Sequence, residues 1–537
     1  MGVLANEFPH LRQAVLFGGE RFDTMIAQKL ADIEAGFETK EKKAYSLERL
    51  VLRHLGQDIH ESKADPAGWR LRFAELDSTP LARWPQSALQ YALGDVYYTG
   101  MVERKEREGF SPYVLENVPR LTRAAIALQL STIRGIGVDT VLLQRIDDAA
   151  RAELESAEHM VTLAGLTHRT PKDGKLHIHT SEIRKLVQRA YALRGEVAPS
   201  SPPSETYKNG QTKTDADTLV ASGHPVLEAW GLAQCARKVV SGFTEKWLAS
   251  KAQRVCPEYF IPMATCRVSC GNPNITQIPR PSKFNVNHGA LLRQCFIPPS
   301  GYTFVWGDYA QIELCAIAQL CLWRGYGNTL ANEIDNGADI HANTAARVLG
   351  CAYDPENPLH KETRQYSKGV VYGRGGGLGA GGLQKLLAGS GLKASIDYCK
   401  TLIAAHSAYL PDADLYVRES IRQWKYVSPF AVIHNPHTKP VLRLCAKPTQ
   451  ACNTPFQGIV AGGALDAYVE LTRLSGEGIE WWPAFFVHDE IVCFVRNDLV
   501  SSVKNMMQRV MVDCMRQWIP DVAVRVDMKH GERWTKC

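Results

Sequence analysis

The sequence predicts an α+β protein of two to four domains, and three observations lead there. At 537 residues the chain exceeds what a single hydrophobic core organises. Helical periodicity fills long stretches of it. Two groups of bulky strand formers stand apart, at Phe304–Trp306 and from Ala484 to Val495, as strands do. With 45% hydrophobic and 22% charged residues, the composition is that of a soluble globular protein. No apolar run approaches the roughly 20 residues that span a bilayer, and no signal-peptide pattern opens the sequence. The expectation is therefore a protein of the cell interior with no membrane partner. Fourteen cysteines are scattered singly, and Cys315, Cys321 and Cys493 lie in apolar runs, where they read as small buried hydrophobes. Cys266 and Cys270 have no second pair at zinc spacing, so no zinc site is expected. A net charge of +6 is mild for this length and identifies no partner by itself.

Along the chain, residues 1–115 alternate amphipathic helical runs with polar breaks, as at Tyr45–Gly56 and from Leu89 to Lys105. Tyr91 and Asp95 share one helical face by their spacing; taken alone they read as a core tyrosine and a surface aspartate. From Arg120 to about Leu166 the pattern is one long helical stretch. Val197–Thr214 is a Pro- and Ser-rich exposed loop, and helical pattern resumes from Pro225 through Trp247. Two long helices with a polar tip suit a grip on duplex nucleic acid through its phosphates, and equally a solvated helical hairpin.

The chemistry-bearing stretches follow. Ala264–Arg280 is loop-like and carries Arg267, Asn274, Gln277 and Arg280, polar groups able to bond minor-groove edges and phosphates. In Phe304–Leu314 the strand breaks at Gly307 and Asp308 and helical pattern begins at Gln311, which leaves Asp308 at a strand's carboxyl end, facing a cleft. An isolated aspartate there is more often a helix cap. Asp339 reads as the cap of a helix holding His341. Arg364, Lys368 and Tyr372 are spaced by four on one helical face. They offer two cations and an aromatic plane in the order that a nucleotide's phosphates and base need, although such a ladder is usually a solvated face. Gly375, Gly376 and Gly377 end or bend that helix, and the Gly-Lys-Ser/Thr ending of a Walker loop is missing. Asn453–Gly458 precedes an apolar helix from Ile459 to Leu471. Ala484–Val495 is two apolar strands joined by His488, Asp489 and Glu490, a hairpin signature that could alone be an ordinary exposed turn.

In order and spacing, from Thr265 to Glu490, these stretches resemble the signature segments of family A DNA polymerases. Asp308-Tyr309-Ala310-Gln311-Ile312-Glu313-Leu314 looks like that family's motif A. Arg364, Lys368, Tyr372 and Gly373 look like motif B, and Val487-His488-Asp489-Glu490 looks like motif C. The resemblance implies a right-hand polymerase of phage type with an antiparallel palm sheet and largely helical fingers and thumb. It would divide into thumb (116–255), first palm segment (256–324), fingers (325–440) and second palm segment (441–537). The implied activity is template-directed addition of deoxynucleotides to a primer 3′ end. Asp308, Asp489 and the Tyr309 backbone would hold two Mg²⁺ ions, with Mn²⁺ able to substitute, and Glu490 and Lys368 would join the two aspartates in catalysis. Arg364, Lys368, Tyr372, His341, Glu313 and Gln311 would hold the incoming dNTP, Glu313 closing off the sugar's 2′ position. Arg267, Asn274, Gln277, Asn453, Gln457 and His488 would contact primer-template DNA. The departures are Cys266, Cys270, Ala310, Cys315 for an arginine, Val371 for an asparagine, Gly376 for a tyrosine and Thr449 for an arginine.

Residues 1–115 resemble the latter half of the proofreading 3′-5′ exonuclease domain of such polymerases, on Phe22–Met25, Tyr91 and Asp95. The remaining metal-binding carboxylates of that domain would precede the stretch resembling Gly2–Asn6, so no autonomous proofreading is expected. Tyr91 and Asp95 are then vestigial, or a separate polypeptide or upstream segment supplies the missing half; a processivity factor is a further expected partner. The expected location is cytoplasmic, in the host if the source is a virus. Two other readings use the same residues: a non-catalytic DNA-binding scaffold, and a metal-dependent phosphohydrolase built on Asp308, His488 and Asp489.

Overall fold

Secondary structure follows the local signals wherever a cap or a glycine punctuates the chain. The structure, a computed structural model, describes residues 14, 18–37, 41, 43–59, 68–169, 176–200, 210–249, 254–278, 289–389, 392, 394–475 and 480–535. Gly2–Asn6, Arg280 and the middle of the Val197–Thr214 loop lie outside the described residues. Asp23 caps α1 (Thr24–Glu34) by accepting from the Ile26 N–H at 3.0 Å, and Gly56 in the left-handed region closes α2 (Leu47–Leu55). Both pack on α3 (Gln86–Gly109), which carries Tyr91 and Asp95. The Tyr91 ring rests 6.1 Å from that of Phe73.

The long helical stretch expected from Arg120 is broken in two, as α4 (Val118–Arg134) and α5 (Thr140–Leu163). Gly135, at φ 62°, ends the first helix, and the Ile and Val that follow it form β1 (Ile136–Val138). Asp139 then caps α5. A short ribbon of β2 (Thr167–Arg169) and β3 (Leu176–Ile178) follows. The helix expected from Pro225 is α6 (Pro225–Val239), packed along α5 and continued by one π turn at Val240–Thr244. There Thr244 Oγ1 donates to buried Asp147 at 2.5 Å. β4 (Arg254–Val255) pairs with β1, and a ribbon of β5 (Glu258–Phe260) and β6 (Ser269–Gly271) comes next. β7 (Phe296–Ile297) pairs with the other edge of β1.

The chain then enters the central sheet with β8 (Tyr302–Tyr309). Helices α7 (Ile312–Trp323), α8 (Ile340–Leu349), α9 (Pro358–Gly375), α10 (Ile396–Tyr409) and α11 (Pro411–Tyr426) follow. A hairpin of β9 (Phe430–Ile433) and β10 (Val441–Leu444) leads into α12 (Pro448–Leu474). The chain ends with β11 (Trp481–Val487), β12 (Glu490–Arg496), α13 (Val500–Trp518) and β13 (Val526–Gly531). Strands β11, β12, β8 and β13 lie side by side in that order, all antiparallel. One face buries Phe304, Trp306, Phe485, Phe494 and Trp534; the other buries Val305, Tyr309 and Cys493 under Met507, Met511 and Met515 of α13. Among the described residues no helix is long and apolar enough to cross a membrane.

Two further elements differ from expectation. β8 continues through Gly307 and Asp308 to Tyr309, because β13 pairs with it there, Asp527 opposite Asp308 and Val526 opposite Tyr309. Gln311, at φ 51°, stands before the helix, which begins at Ile312. Asn453–Gly458 lies inside α12 rather than before it, with Pro455 in the helix interior. Proline removes an intrahelical donor at that turn, and the Tyr416 hydroxyl donates to the neighbouring Cys452 carbonyl at 2.7 Å.

At the α12–α13 crossing, a Cβ on Gly462 would come within 2.3 Å of the Trp518 indole edge. That ring is 1% exposed, and its Nε1 donates to Asp466 at 2.8 Å, so it has little room to retreat. Gly462→Ala is expected to lower unfolding free energy by about 1–3 kcal/mol in urea titrations, whereas an unchanged midpoint would show that the crossing can open without cost.

Candidate active site

The antiparallel register decides what meets at the tip of the central sheet. Ile491 lies opposite Gly307 and Val487 opposite Glu490, so the turn residues His488 and Asp489 are carried beside Asp308. His488 sits at φ 60°, a conformation histidine tolerates better than most residues, and its Nε2 lies 3.2 Å from the Thr276 carbonyl. A cavity of 460 Å³ opens here. Asp308, Tyr309 and Asp489 line it together with Gln311, Glu313 and Arg267, and Tyr372 and His488 complete the set of expected residues. Tyr309 turns its side chain into the core, donating to the Met511 carbonyl at 2.8 Å, so its backbone is the part left for the cavity.

The two aspartates repel. Burial, and then the charge of Asp308, push the Asp489 carboxyl up to about 7. A divalent cation between them would relieve this strain, and acceptor-only carboxylate oxygens suit a hard cation; the donor set therefore fits a hard divalent cation. Among the described residues no group of three or more His, Cys, Asp or Glu side chains forms a metal site, so the fit rests on two carboxylates and backbone oxygen. Glu490 stands behind the cavity. It accepts from Trp534 Nε1 at 2.5 Å, with Arg293 at 3.7 Å, and burial pushes it up to about 7.

A cationic face approaches from α9. Arg364 holds Asp339 through Nε at 3.0 Å and NH2 at 2.7 Å, while Asp339 also caps α8 through the Ala342 N–H. Lys368 and Tyr372 follow on the same helix, and the Tyr372 ring lies 5.3 Å from His341. Burial pushes His341 down to about 4, with Arg364 and Lys368 adding to the effect and Asp339 opposing it, so its imidazole is neutral at neutral pH. Arg267 forms an ion pair with Glu313, a contact between two expected residues that their sequence positions do not reveal. Asn453 donates to the Gly376 carbonyl at 3.2 Å and accepts from Gln457 at 3.4 Å. Asn274 is engaged in its own turn, bonded to the Thr276 N–H and hydroxyl, and Gln277 beside it is exposed.

Eight of the expected residues line one cavity; Arg364, Lys368, His341, Asn274, Gln277, Asn453, Gln457 and Glu490 are not among its described lining residues. Tyr91 and Asp95 belong to the N-terminal helices. Reasoning from sequence missed the apolar wall of Val268, Ile312, Val460, Ala461 and Phe486, which carries no chemical signature. It also missed Asp527, brought opposite Asp308 by β13.

The fold is that of a solved structure described as the POL domain of Pol1 from M. smegmatis in complex with DNA primer-template and dNTP. The TM-score is 0.69 at 20% identity, covering 95% of this chain and 82% of that one. The sequence profile of DNA polymerase family A matches residues 183–536. The chain belongs to that family. It is 26% identical to DNA polymerase I of Aquifex aeolicus over 99% of this chain and 86% of the relative. Against DNA polymerase I of Chloroflexus aurantiacus it is 30% identical over 50% of this chain, a match spanning 28% of the relative.

The contribution of Asp489 to the stability of the metal-free protein falls as pH rises. Asp489 has its ordinary value near 3.8 when unfolded and about 7 when folded, so between these values the folded state keeps a proton that the unfolded chain has released. In thermal melts in a chelator, the stability of wild type relative to Asp489→Asn is expected to decline between pH 4 and 7. An identical slope in the variant would contradict the assignment.

Proposed function

We propose that the chain is a DNA-directed DNA polymerase that extends a primer 3′ end on a template strand by nucleotidyl transfer. The observation that carries this reading is the repelling Asp308–Asp489 pair, set at the sheet tip within reach of a helix that presents Arg364, Lys368 and Tyr372. The family relationship supports it, as do the relatives named DNA polymerase I and a structural neighbour described with primer-template and dNTP. In this reading the central sheet and its flanking segments, 256–324 and 441–537, are the palm, 325–440 the fingers and 116–255 the thumb.

Asp308, Asp489 and the Tyr309 backbone would hold two Mg²⁺ ions. Such ions lower the pKa of an attacking hydroxyl and neutralise charge on a triphosphate. Arg364 and Lys368 bind and orient the phosphates, because guanidinium and ammonium donors match phosphate oxygens. Tyr372 packs beside sugar and base. Glu313, held by Arg267 at the cavity wall, excludes a 2′-hydroxyl. Arg267, Asn274, Gln277 and His488 line the path of the primer-template, and Asn453 and Gln457 flank it from α12. Glu490 holds the β11–β12 turn in place through Trp534 and Arg293.

Asp308→Ala and Asp489→Ala are each expected to abolish extension of a labelled primer in Mg²⁺ while duplex binding stays near wild type; near-normal extension by either would end this reading. Glu313→Ala is expected to admit ribonucleotides, raising their incorporation relative to deoxynucleotides by at least about tenfold, the equivalent of one lost 1.4 kcal/mol discrimination. Unchanged sugar selectivity on sequencing gels would remove Glu313 from that role.

A further inference from the structure

We propose that the adjacent residues Arg533 and Trp534 form a bracket that positions Asp489, Trp534 holding the catalytic turn through Glu490 and Arg533 anchoring Trp534 to the cap of α5. Such a bracket rests on the reading of Asp489 as a metal ligand in primer extension. Side chains alternate along a strand, and Val492 and Phe494 of β12 lie in the aromatic core, so Glu490 turns to that same face. It is 6% exposed and does not line the cavity that holds Asp489. A carboxylate in an aromatic core needs a partner. Glu490 has one in Trp534, whose Nε1 donates to its Oε1 at 2.5 Å. Because Glu490 pairs with Val487 across the turn, fixing Glu490 leaves only His488 and Asp489 between two held residues.

Trp534 has little freedom to follow if the turn moves. It is 0% exposed. Phe485 meets its ring edge-on at 4.9 Å, and Phe296 stacks on it at 5.8 Å. The Arg293 guanidinium lies 4.2 Å from the same ring, a cation–π approach, and 3.7 Å from Glu490. Trp534 follows β13, and in the sheet β13 lies on the far side of β8 from β12. The segment after β13 therefore passes the aromatic face of β8 to reach Glu490.

Arg533 pins this segment from outside the sheet. Its NH1 donates to the Gln294 carbonyl at 2.9 Å and its NH2 to Asp139 Oδ2 at 2.7 Å. Asp139 Oδ1 meanwhile caps α5, accepting from the Leu142 N–H at 3.0 Å. Two consecutive residues thus tie the first turn of a helix assigned to the duplex grip to the carboxylate next to Asp489. Neither residue lines the cavity, so both are positioning residues. Partners of this outer shell are typically worth about 10- to 100-fold in metal affinity or activity.

The test is steady-state primer extension by the full chain in Mg²⁺, with hydrogen exchange of the free protein read by mass spectrometry. Trp534→Phe keeps an aromatic ring and removes the N–H. It is expected to lower kcat at least about tenfold, while the KM for dNTP and the Kd for duplex stay within about twofold of wild type. The peptide holding Val487–Ile491 is expected to exchange faster than in wild type, and the peptide holding Trp481–Ala484, at the far end of the hairpin, at the wild-type rate. Phe494→Leu loosens the same face farther along β12 without removing the donor to Glu490, and is expected to keep the wild-type kcat. Wild-type kcat in Trp534→Phe, or an equal loss in Phe494→Leu, would overturn the proposal, as would faster exchange spread equally over both peptides. Should Trp534→Phe unfold early, Arg533→Ala decides, because that side chain is 41% exposed: a lowered kcat with faster exchange at the turn supports the bracket, and wild-type values refute it. Asp489→Ala separates this proposal from the reading beneath it. Extension retained in that variant would sink the metal-ligand reading, whereas an inactive Asp489→Ala beside a fully active Trp534→Phe would sink the bracket alone.

Discussion

The repulsion between Asp308 and Asp489 is the constraint on which the architecture around the central sheet turns. Two carboxylates in water would separate or stay hydrated. Here one stands near the end of β8 and the other in the β11–β12 turn, and the Gly307–Ile491 register holds them together. That register cannot slip by one residue, because a slip would send Phe304 and Trp306 to the α13 face and Val305 to the aromatic one. Burial on both faces of the sheet thus supplies the force that keeps like charges adjacent, and the raised Asp489 carboxyl records the cost. A cation is the natural counterpart of such a pair, which is why a two-carboxylate tip on a dry antiparallel sheet suits phosphoryl chemistry.

Around this negative tip, the residues that would meet substrate are already paired with one another. Arg364 is held by Asp339 and Arg267 by Glu313. Neither pair is fully buried, and exposed or half-exposed ion pairs stabilise little, so an arriving phosphate or duplex can take an arginine from its internal partner at small cost. Until then the pairs hold the long side chains near the cavity, which reduces the entropy lost on binding. His341 stays neutral against Tyr372, so the positive charge on this face comes from Arg364 and Lys368.

What the sequence made legible was local. The Asp339 cap, the Arg364–Lys368–Tyr372 face, the early end of α9 at the glycines and the β11–β12 hairpin all depend on residues within a turn or two of each other, and all stand as expected. Contacts made across the chain were not legible. β8 runs on through Asp308 only because β13, far along the sequence, pairs with it. Pro455 lies inside α12, one turn on from the Cys452 carbonyl to which Tyr416 from α11 donates. Gly135 breaks a helical pattern whose periodicity is otherwise continuous, and the strand it releases finds partners in β4 and β7. Patterning names which residue faces inward; it does not say which partner will be there.

The departures from the family pattern make sense in the same tertiary terms. At Gly376, where the resemblance would place a tyrosine, a Cβ would meet Asn453 Oδ1 at 2.7 Å, and the bare backbone instead accepts a hydrogen bond from Asn453. The glycine lets the end of α9 close on α12, so the polar group that resembles a primer-template contact is held by the helix that carries the nucleotide ladder. Cys315, in place of an arginine, is 1% exposed, and burial pushes its thiol up to about 12 while the guanidinium of Arg525 pulls the other way. Arg525 comes from the segment just before β13, and its carbonyl accepts from the Ala310 N–H at 3.0 Å. Position 315 therefore faces both charges, the Asp335 carboxylate and the Arg525 guanidinium, the latter brought by the segment leading into the strand that also sets Asp527 opposite Asp308. The guanidinium comes from a residue more than two hundred positions away in sequence, and the same β8–β13 pairing that carries β8 through Asp308 delivers it.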